Sequence, residues 1–551
     1  MLALFVLFAA VAVLYAPAIG FSFVWDDHYF VVQNAALRSW SQLPCYFYDV
    51  STYATGAWAP MYRPLRNISY LLDFKLGGLN PAIFHAHNVL LHLLNAGLVF
   101  ALLLKLQKVR QARSVLTAFL AAMIWGVHPL QTEAVAWVKE RDELQFTVYY
   151  LLSVFVMLDM LQAASIWFRS YALLGACVMA SLLSKEMAVS LPVVLVLLAW
   201  FVPSAAPRPQ LKYMLAVVVA ACLAFVIVRH LVIGRTSQQD YISGNLWHEL
   251  LTTTKGFGRY LRLTLVPTLL IADYSGYPIV RSVANAHFLI AAASILVLCG
   301  CALKLKQRAP LVSLGILWYF ATLLPVSNVV PTMQFLAERF LYLPLVGYAV
   351  VWMGGVEWLT HFCVNDTSRA EQQRRTIYAI FLSVAYIVIL SFLTAVRLPD
   401  WKNNNALNES NYRDAPYSSR IALNHASYLA EQGRFAEALE LASSISAKNT
   451  PGYSERDNPL LERVIGLALQ HTANTTESLR HLEHSVALQP DDANGLAALG
   501  LYYGMRGDHQ NAFKYYSRAL AANPTDPAIQ QGVALSRSKV AEQTTSSTLV
   551  N

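Results

Sequence analysis

The chain has 551 residues, of which 56% are hydrophobic and only 13% charged, and its mean hydropathy is +0.42. A water-soluble domain lacks the polar surface to cover so apolar a composition, which excludes an ordinary soluble enzyme and places the chain in a membrane. The formal net charge of +8 is no pointer to nucleic acid, because the Lys and Arg residues sit largely in short loops between apolar runs, where membrane topology puts them. The apolar excess fills residues 1 to about 396, and the remainder has a soluble composition, so two regions are expected.

A helix needs about 20 apolar residues to cross a bilayer. Eleven stretches qualify: 2–20, 86–105, 114–132, 144–161, 170–184, 187–203, 212–233, 286–303, 310–328, 340–359 and 377–396. The first lacks a basic leading segment and a cleavage site, so it reads as a span rather than a signal peptide. Lys105, Lys108, Arg110 and Arg113 fall on one side with Arg208 and Lys212, with Lys304, Lys306 and Arg308, and with Arg369, Arg374 and Arg375. That side is cytoplasmic by the positive-inside rule. The first long loop, 21–85, and the C-terminal region then lie outside, in a bacterial periplasm or an ER lumen. Between residues 234 and 285 the apolar piece Leu261–Ala272 is short and interrupted by Pro267, so it is expected to lie on the outer surface or to re-enter. Of the six cysteines, Cys177, Cys222, Cys299 and Cys301 fall in apolar runs, Cys45 in the first polar segment and Cys363 in a loop, a pattern without a disulfide framework or a CxxC metal site.

Ionisable groups at membrane depth are costly and ask for a reason. Trp25-Asp26-Asp27-His28 follows the first span on the outer side. Adjacent carboxylates repel, so one of Asp26 and Asp27 is expected to be held ionised by a cation, and an ionised carboxylate there can act as a general base. The same face carries Tyr62-Arg63-Pro64-Leu65 and Arg66, then His128-Pro129, Glu133, Lys139, Glu140 and Arg141, then Ser184-Lys185-Glu186, and Glu338-Arg339. Taken singly, these cations and carboxylates can simply neutralise one another at helix ends. Taken together they describe an acidic base beside cations, Arg63, Arg141, Lys185 and Arg339, able to hold a lipid phosphate. His85, Asn88, His92 and Asn95 recur at helical spacing on one face; interhelical hydrogen bonding is favoured there over a metal site, and no metal is expected.

After Pro416 the chain repeats itself. Gly466 and Gly500 are 34 residues apart, as are Pro490 and Pro524, which is the tetratricopeptide (TPR) period. About three repeats are legible, the last through Leu499-Gly500, Tyr503, Gly507, Ala512, Tyr516, Ala519 and Pro524. Stacked repeats build a concave groove suited to an extended peptide. The expected organisation is all-α: a polytopic transmembrane helix bundle over 1–400, a soluble TPR α-solenoid over 416–540 and a disordered tail over 541–551.

In their order these motifs resemble the TMTC family of ER protein O-mannosyltransferases and their bacterial TPR-bearing relatives, within the GT-C class of glycosyltransferases. The series runs from Trp25-Asp26-Asp27 through Tyr62-Arg63-Pro64-Leu65, Phe84-His85, His128-Pro129 with Glu133-Ala134-Val135-Ala136-Trp137-Val138, and Ser184-Lys185-Glu186 to Ala337-Glu338-Arg339-Phe340-Leu341-Tyr342-Leu343-Pro344. The resemblance implies a catalytic acid at Asp26 or Asp27, a dolichyl- or undecaprenyl-phosphate sugar as donor, mannose favoured, and a protein Ser or Thr hydroxyl as acceptor held by the TPR groove. The charged clusters themselves supply the expected donor-phosphate contacts, Arg63, Arg141, Lys185 and Arg339, with His85, His128, Glu133, Glu186 and Glu338 in support, and no cofactor is expected. Two other readings stay open: a transferase that glycosylates a lipid or a polysaccharide, and a non-catalytic TPR membrane scaffold.

Overall fold

The structure is a computed structural model that describes residues 1–55, 61–109, 114–203, 208–234, 241, 244–332, 334–362, 369–446, 458–472, 475–524 and 526–549. Its regular elements among these residues are helices. The chain divides into two compact units, one of residues 1–274 and 278–407, the other of 275–277 and 408–551.

The first unit holds α1 (Leu2–Tyr15), α2 (Pro64–Gly77), α3 (Pro81–Val109), α4 (Val115–Gly126), α5 (Thr132–Ala136), α6 (Arg141–Gln162), α7 (Phe168–Ser184), α8 (Leu191–Phe201), α9 (Arg208–Ile233), α10 (Leu246–Leu265), α11 (Ala286–Leu305), α12 (Pro310–Leu323), α13 (Pro344–Glu357) and α14 (Arg369–Arg397). Among the described residues six helices are long and apolar enough to cross a membrane: Leu2–Gly20, Pro81–Lys108, Val138–Gln162, Gln210–Ile233, Ala286–Leu305 and Ala370–Trp401. A seventh stretch, α4 with Pro129–Ala136, is bent by 51° at His128-Pro129, where the proline removes a helical N–H. The remaining expected spans, 170–184, 187–203, 310–328 and 340–359, form helices shorter than that. The chain is thus an integral membrane protein in which many apolar helices stop short and hand over to buried polar turns.

Close helix approach in this unit relies on small residues. A Cβ on either Gly315 of α12 or Gly347 of α13 would collide with the other's carbonyl oxygen, so the two backbones touch as closely as glycines allow. The stretch between 234 and 285 resolves into α10, which ends two residues before Pro267.

α15 (Asn404–Asp414) carries the chain into the second unit, where the helices pair: α16 (Ser419–Glu431) with α17 (Phe435–Ser446), α18 (Pro459–His471) with α19 (Thr475–Leu488), and α20 (Ala493–Met505) with α21 (His509–Ala522). Gly433 and Gly507 sit at φ +75° and +78° in the turns of the first and third pairs, the left-handed geometry that ends a helix cheaply only in glycine. Small residues face large ones across each pair: Gly466 abuts Leu482, and the Tyr516 ring lies between Gly500 and Gly532. A final helix, α22 (Pro527–Leu549), covers the last pair. It stays helical through Leu549, where a disordered tail is expected from Ala541; Ala541, Glu542 and Gln543 favour continuing the helix, while the Thr and Ser residues beyond them do not. Residues 450–457, most of the irregular stretch that separates the first repeat from the second, and Asn474, which opens an Asn-X-Thr glycosylation triplet, lie outside the described residues.

Candidate active site

The segment that follows the first apolar helix is folded around Asp27. This carboxylate is fully buried, and each of its oxygens accepts a backbone N–H, from Val24 at 3.0 Å and from Lys139 at 2.8 Å. Burial pushes its pKa up to about 8, against the pull of those two donors. Trp25 adopts φ +46°, a costly conformation for a bulky residue. Its N–H donates to Asn404 Oδ1 at 2.9 Å, and its ring meets Trp137 and Trp401 edge-on while those two stack on each other. The turn thus aims Asp26 away from the core that holds Asp27. The Asp26 side chain is 28% exposed and pairs with Lys139 Nζ at 3.1 Å.

From Lys139 a continuous ionic network runs inward. Lys139 also contacts Glu140 at 3.1 Å. Glu140 is reached by Arg339 Nε at 3.1 Å and by Lys185 at 3.5 Å. Arg339 is held a second time by Glu133, which takes both its guanidinium and its backbone N–H. Lys185 continues to Asp142 at 3.1 Å and Glu143 at 2.5 Å. Asp142 holds Arg63 at 2.5 Å and Arg66 at 3.4 Å, and Arg63 makes a two-pronged contact with Glu186 at 2.7 and 3.1 Å. The neighbouring carboxylates keep the Arg63 guanidinium well above its usual range despite its burial. Every member is nearly buried except the two ends, Asp26 at 28% and Glu186 at 29% exposed. Six carboxylates (Asp26, Glu133, Glu140, Asp142, Glu143, Glu186) meet five cations (Arg63, Arg66, Lys139, Lys185, Arg339), so the cluster carries no excess positive charge for an incoming anion.

The structure therefore brings Asp26, Arg63, Glu133, Lys185, Glu186 and Arg339 into one network and leaves other expected residues out. Arg141 is a correction: its guanidinium is buried and occupied by Asp73, by Asn88 Oδ1 at 2.8 Å, by Ser69 Oγ at 3.3 Å and by the Phe84 carbonyl at 2.8 Å, so it ties α2 and α3 to α6 and is not placed to receive a phosphate. His128 caps the bend after α4, accepting the Leu130 N–H at 3.3 Å and bonding the Thr264 carbonyl at 3.1 Å. His85 is buried edge-on against Phe21. His92 bonds Tyr342 Oη at 2.8 Å and the Gly126 carbonyl at 3.0 Å, while Asn95 donates to the Leu144 carbonyl at 2.9 Å, so this stripe joins helices. Glu338 accepts the Ile271 N–H at 2.6 Å and the Tyr274 hydroxyl at 3.0 Å, and burial raises its pKa to about 7.

Sequence reading passed over Asp142 and Glu143, the carboxylates on which Lys185 and both arginines of the Arg63–Arg66 segment converge. The signal was present: Lys139 to Glu143 is a run of five charged residues opening an otherwise apolar helix. Asn404 and Trp401 carried no such signal, since their role depends on the return of the chain after α14 to the Trp25 turn.

The second unit contains a cavity of about 370 Å³ lined by Glu431, Phe435, Arg463, His471, Asn494 and Tyr516, among others. Phe435 and His471 stack at 3.8 Å, and Arg463 pairs with Asp492 at 2.9 Å. These residues come from successive helix pairs, which makes this the concave groove of the repeats.

No protein-family model matches the chain. Among curated proteins it is 23% identical over 436 residues to Protein O-mannosyl-transferase F38B6.6 of Caenorhabditis elegans, covering 76% of this chain and 59% of that one. It is 24% identical over 479 residues to Protein O-mannosyl-transferase TMTC4 of Mus musculus, covering 76% and 62%, and 25% identical over 492 residues to Protein O-mannosyl-transferase TMTC1 of Homo sapiens, covering 77% and 52%. The chain thus spans between about half and three fifths of the length of these relatives. A solved TPR domain, that of P58(IPK), aligns at 13% identity with a TM-score of 0.23, over 68% of this chain and 98% of that one, a likeness too loose to argue from.

Proposed function

We propose that this chain, a relative of the TMTC-type protein O-mannosyltransferases, is a membrane glycosyltransferase of the GT-C type that moves a sugar, mannose favoured, from a polyprenyl phosphate to a Ser or Thr hydroxyl of a protein. The observation that carries the reading is the state of Asp26: a carboxylate kept at the exposed end of a buried ionic network by a strained turn. Asp27, with both oxygens taken by backbone donors, holds that turn.

In the proposed reaction the acceptor oxygen attacks the anomeric carbon and its proton passes to Asp26. The bond from that carbon to the phosphate oxygen breaks, and lipid phosphate leaves with the electron pair. Attack from the face opposite the leaving group inverts the anomeric centre. A phosphate is an adequate leaving group once its charge is offset, so no general acid, metal or cofactor is called for. Lys139, 3.1 Å from Asp26, holds the carboxylate in place at the exposed end of the network. Arg63, Lys185 and Arg339, engaged by carboxylates on several sides, act as positioning residues that lock the loops after α1, α5, α7 and α12 into one surface. In the topology expected from the sequence, eleven crossings with the basic loops inside, Asp26 and the repeats fall on the non-cytoplasmic side, where the repeat groove would raise the local concentration of an acceptor chain.

The test is transfer by the purified full chain from a panel of polyprenyl-phosphate monosaccharides, read by mass spectrometry. Loss of a positioned general base costs roughly 10²–10⁴-fold, so D26N is expected to lose at least about a hundredfold in rate at an unchanged melting temperature. Full activity in D26N would overturn the assignment, and sugar found on lipid with none on protein would move the acceptor to the lipid class.

A further inference from the structure

The cations of the buried network are all engaged by carboxylates, which raises the question of where a lipid phosphate could be met. A different set of cations lies on one face of α10: Lys255, Arg259 and Arg262, spaced four and three residues apart. Arg262 is exposed and Lys255 and Arg259 are half-buried. Partial burial lowers the pKa of both Lys255 and Arg262, and the charge on Arg259 lowers each further, so the three repel one another. The hydrogen bonds that face the turn after α10 go to neutral acceptors. Arg259 Nη2 donates to the Leu269 carbonyl at 3.2 Å, while Arg262 donates to the Thr268 carbonyl at 3.1 Å and to Thr268 Oγ1 at 3.4 Å.

These contacts brace a strained turn. Leu269 adopts φ +56°, which a branched side chain takes only under constraint. The consequence is that Leu265, Val266 and Leu269 stand out together, 59%, 53% and 69% exposed. This apolar tip sits at the side of the last apolar helix, because Tyr386, well inside α14, donates its hydroxyl to the Leu265 carbonyl at 3.2 Å. Guanidinium groups hydrogen-bonded to the turn that carries an apolar projection beside a membrane helix match a lipid, with its phosphate at the cations and its tail along the tip. The Arg259 guanidinium also lies 5.0 Å over the Tyr274 ring, whose hydroxyl donates to Glu338, the chain neighbour of Arg339. The cationic face therefore reaches Glu338, the residue before Arg339 of the buried network, through a single aromatic residue.

We propose that Arg259 and Arg262, with Lys255 one turn away, bind the phosphate headgroup of a polyprenyl lipid whose chain runs along Leu265, Val266 and Leu269. The assignment rests on the transferase reading for the identity of the lipid, but binding is measured without turnover, so each can fail while the other stands. The full chain is reconstituted in phosphatidylcholine nanodiscs doped with undecaprenyl phosphate or with the neutral alcohol undecaprenol, and retained lipid is counted by mass spectrometry. The phosphate is expected to be retained over the alcohol, and R259Q/R262Q to lose about tenfold in retention, the equivalent of about 1.4 kcal/mol. Equal retention by that variant, equal retention of the alcohol, or displacement by millimolar inorganic phosphate would each overturn the proposal, the last in favour of a free-phosphate site. Because both arginines also brace the turn, R259K/R262K separates charge from bracing. Retention near wild type upholds the proposal, and retention as low as in the glutamine pair leaves the arginines a structural clamp only.

Discussion

The two units handle charge in opposite ways. In the membrane unit the ion pairs are buried and shared, with Asp142 alone holding Arg63, Arg66 and Lys185 at no exposure. In the repeat unit they are isolated pairs, several of them local and wet: Arg434 and Glu437 pair at 50% and 57% exposure, and Lys539 and Glu542 at 44% and 63%, while Arg463 and Asp492 join two helix pairs at 15% and 19%. A buried charge that loses its partner has no water to turn to, whereas an exposed one barely changes surroundings. The first unit is therefore held in register by electrostatics, and the second by the fit of small residues against large ones.

That contrast can be broken or sharpened by substitution. The largest effect is expected from D142N, which takes its carboxylate from the fully buried Arg66 and one of several from Arg63 and Lys185; removing one partner of such a cluster costs about 3–5 kcal/mol, so the detergent-solubilised protein should melt far lower or fail to accumulate. A wild-type melting curve for D142N would show that the network is slack.

Next comes the pH dependence at Glu338. Its carboxyl has a folded-state pKa of about 7 against 4.5 when unfolded, so between those values the folded state holds more protons, and stability falls as pH rises through about 4.5 to 7. The span amounts to a loss on the order of 3 kcal/mol. E338Q keeps an oxygen for Ile271 and Tyr274 and has no proton to lose, so the slope of unfolding across that window should shrink by this share, while Asp27, whose carboxyl burial also pushes up, keeps its own. An unchanged slope in E338Q would assign the dependence to other groups.

A smaller effect, confined to the repeats, is expected from G500L. A Cβ at Gly500 already meets the Tyr516 ring at 2.8 Å, and the ring cannot retreat because Gly532 closes its other side. Overpacking of this kind costs about 1–3 kcal/mol, visible as faster amide exchange in α20 to α22 with α1 to α14 unaffected. Exchange spreading into the membrane unit would mean that the two units unfold together. Smallest of all, R434A should leave the melting temperature and the exchange pattern unchanged, and a measurable loss there would mean that the repeats depend on ion pairs after all.

Much of this was legible in the chain itself. Composition and the apolar runs place the first region in a membrane, the 34-residue period reports the repeats, and charged residues in apolar surroundings mark the loops that carry the site, because each of these signals is local. Six of the eleven expected spans reach crossing length, and the others are cut short by turns whose polar groups find partners only across the fold. The same limit explains Arg141 and Arg63. Side by side as sequence they are two arginines in outer loops, yet one is sealed by Asp73 and Asn88 while the other joins Asp142 and Glu186. Asp26 and Asp27 are adjacent and chemically identical, and only the return of Lys139 and Asn404 to the first turn buries one and leaves the other exposed. Residue type and periodicity determined where the chemistry lies along the chain; which carboxylate is available, and which cations are already engaged, depended on contacts between residues far apart in sequence, because burial and charge pairing exist only once the chain has folded.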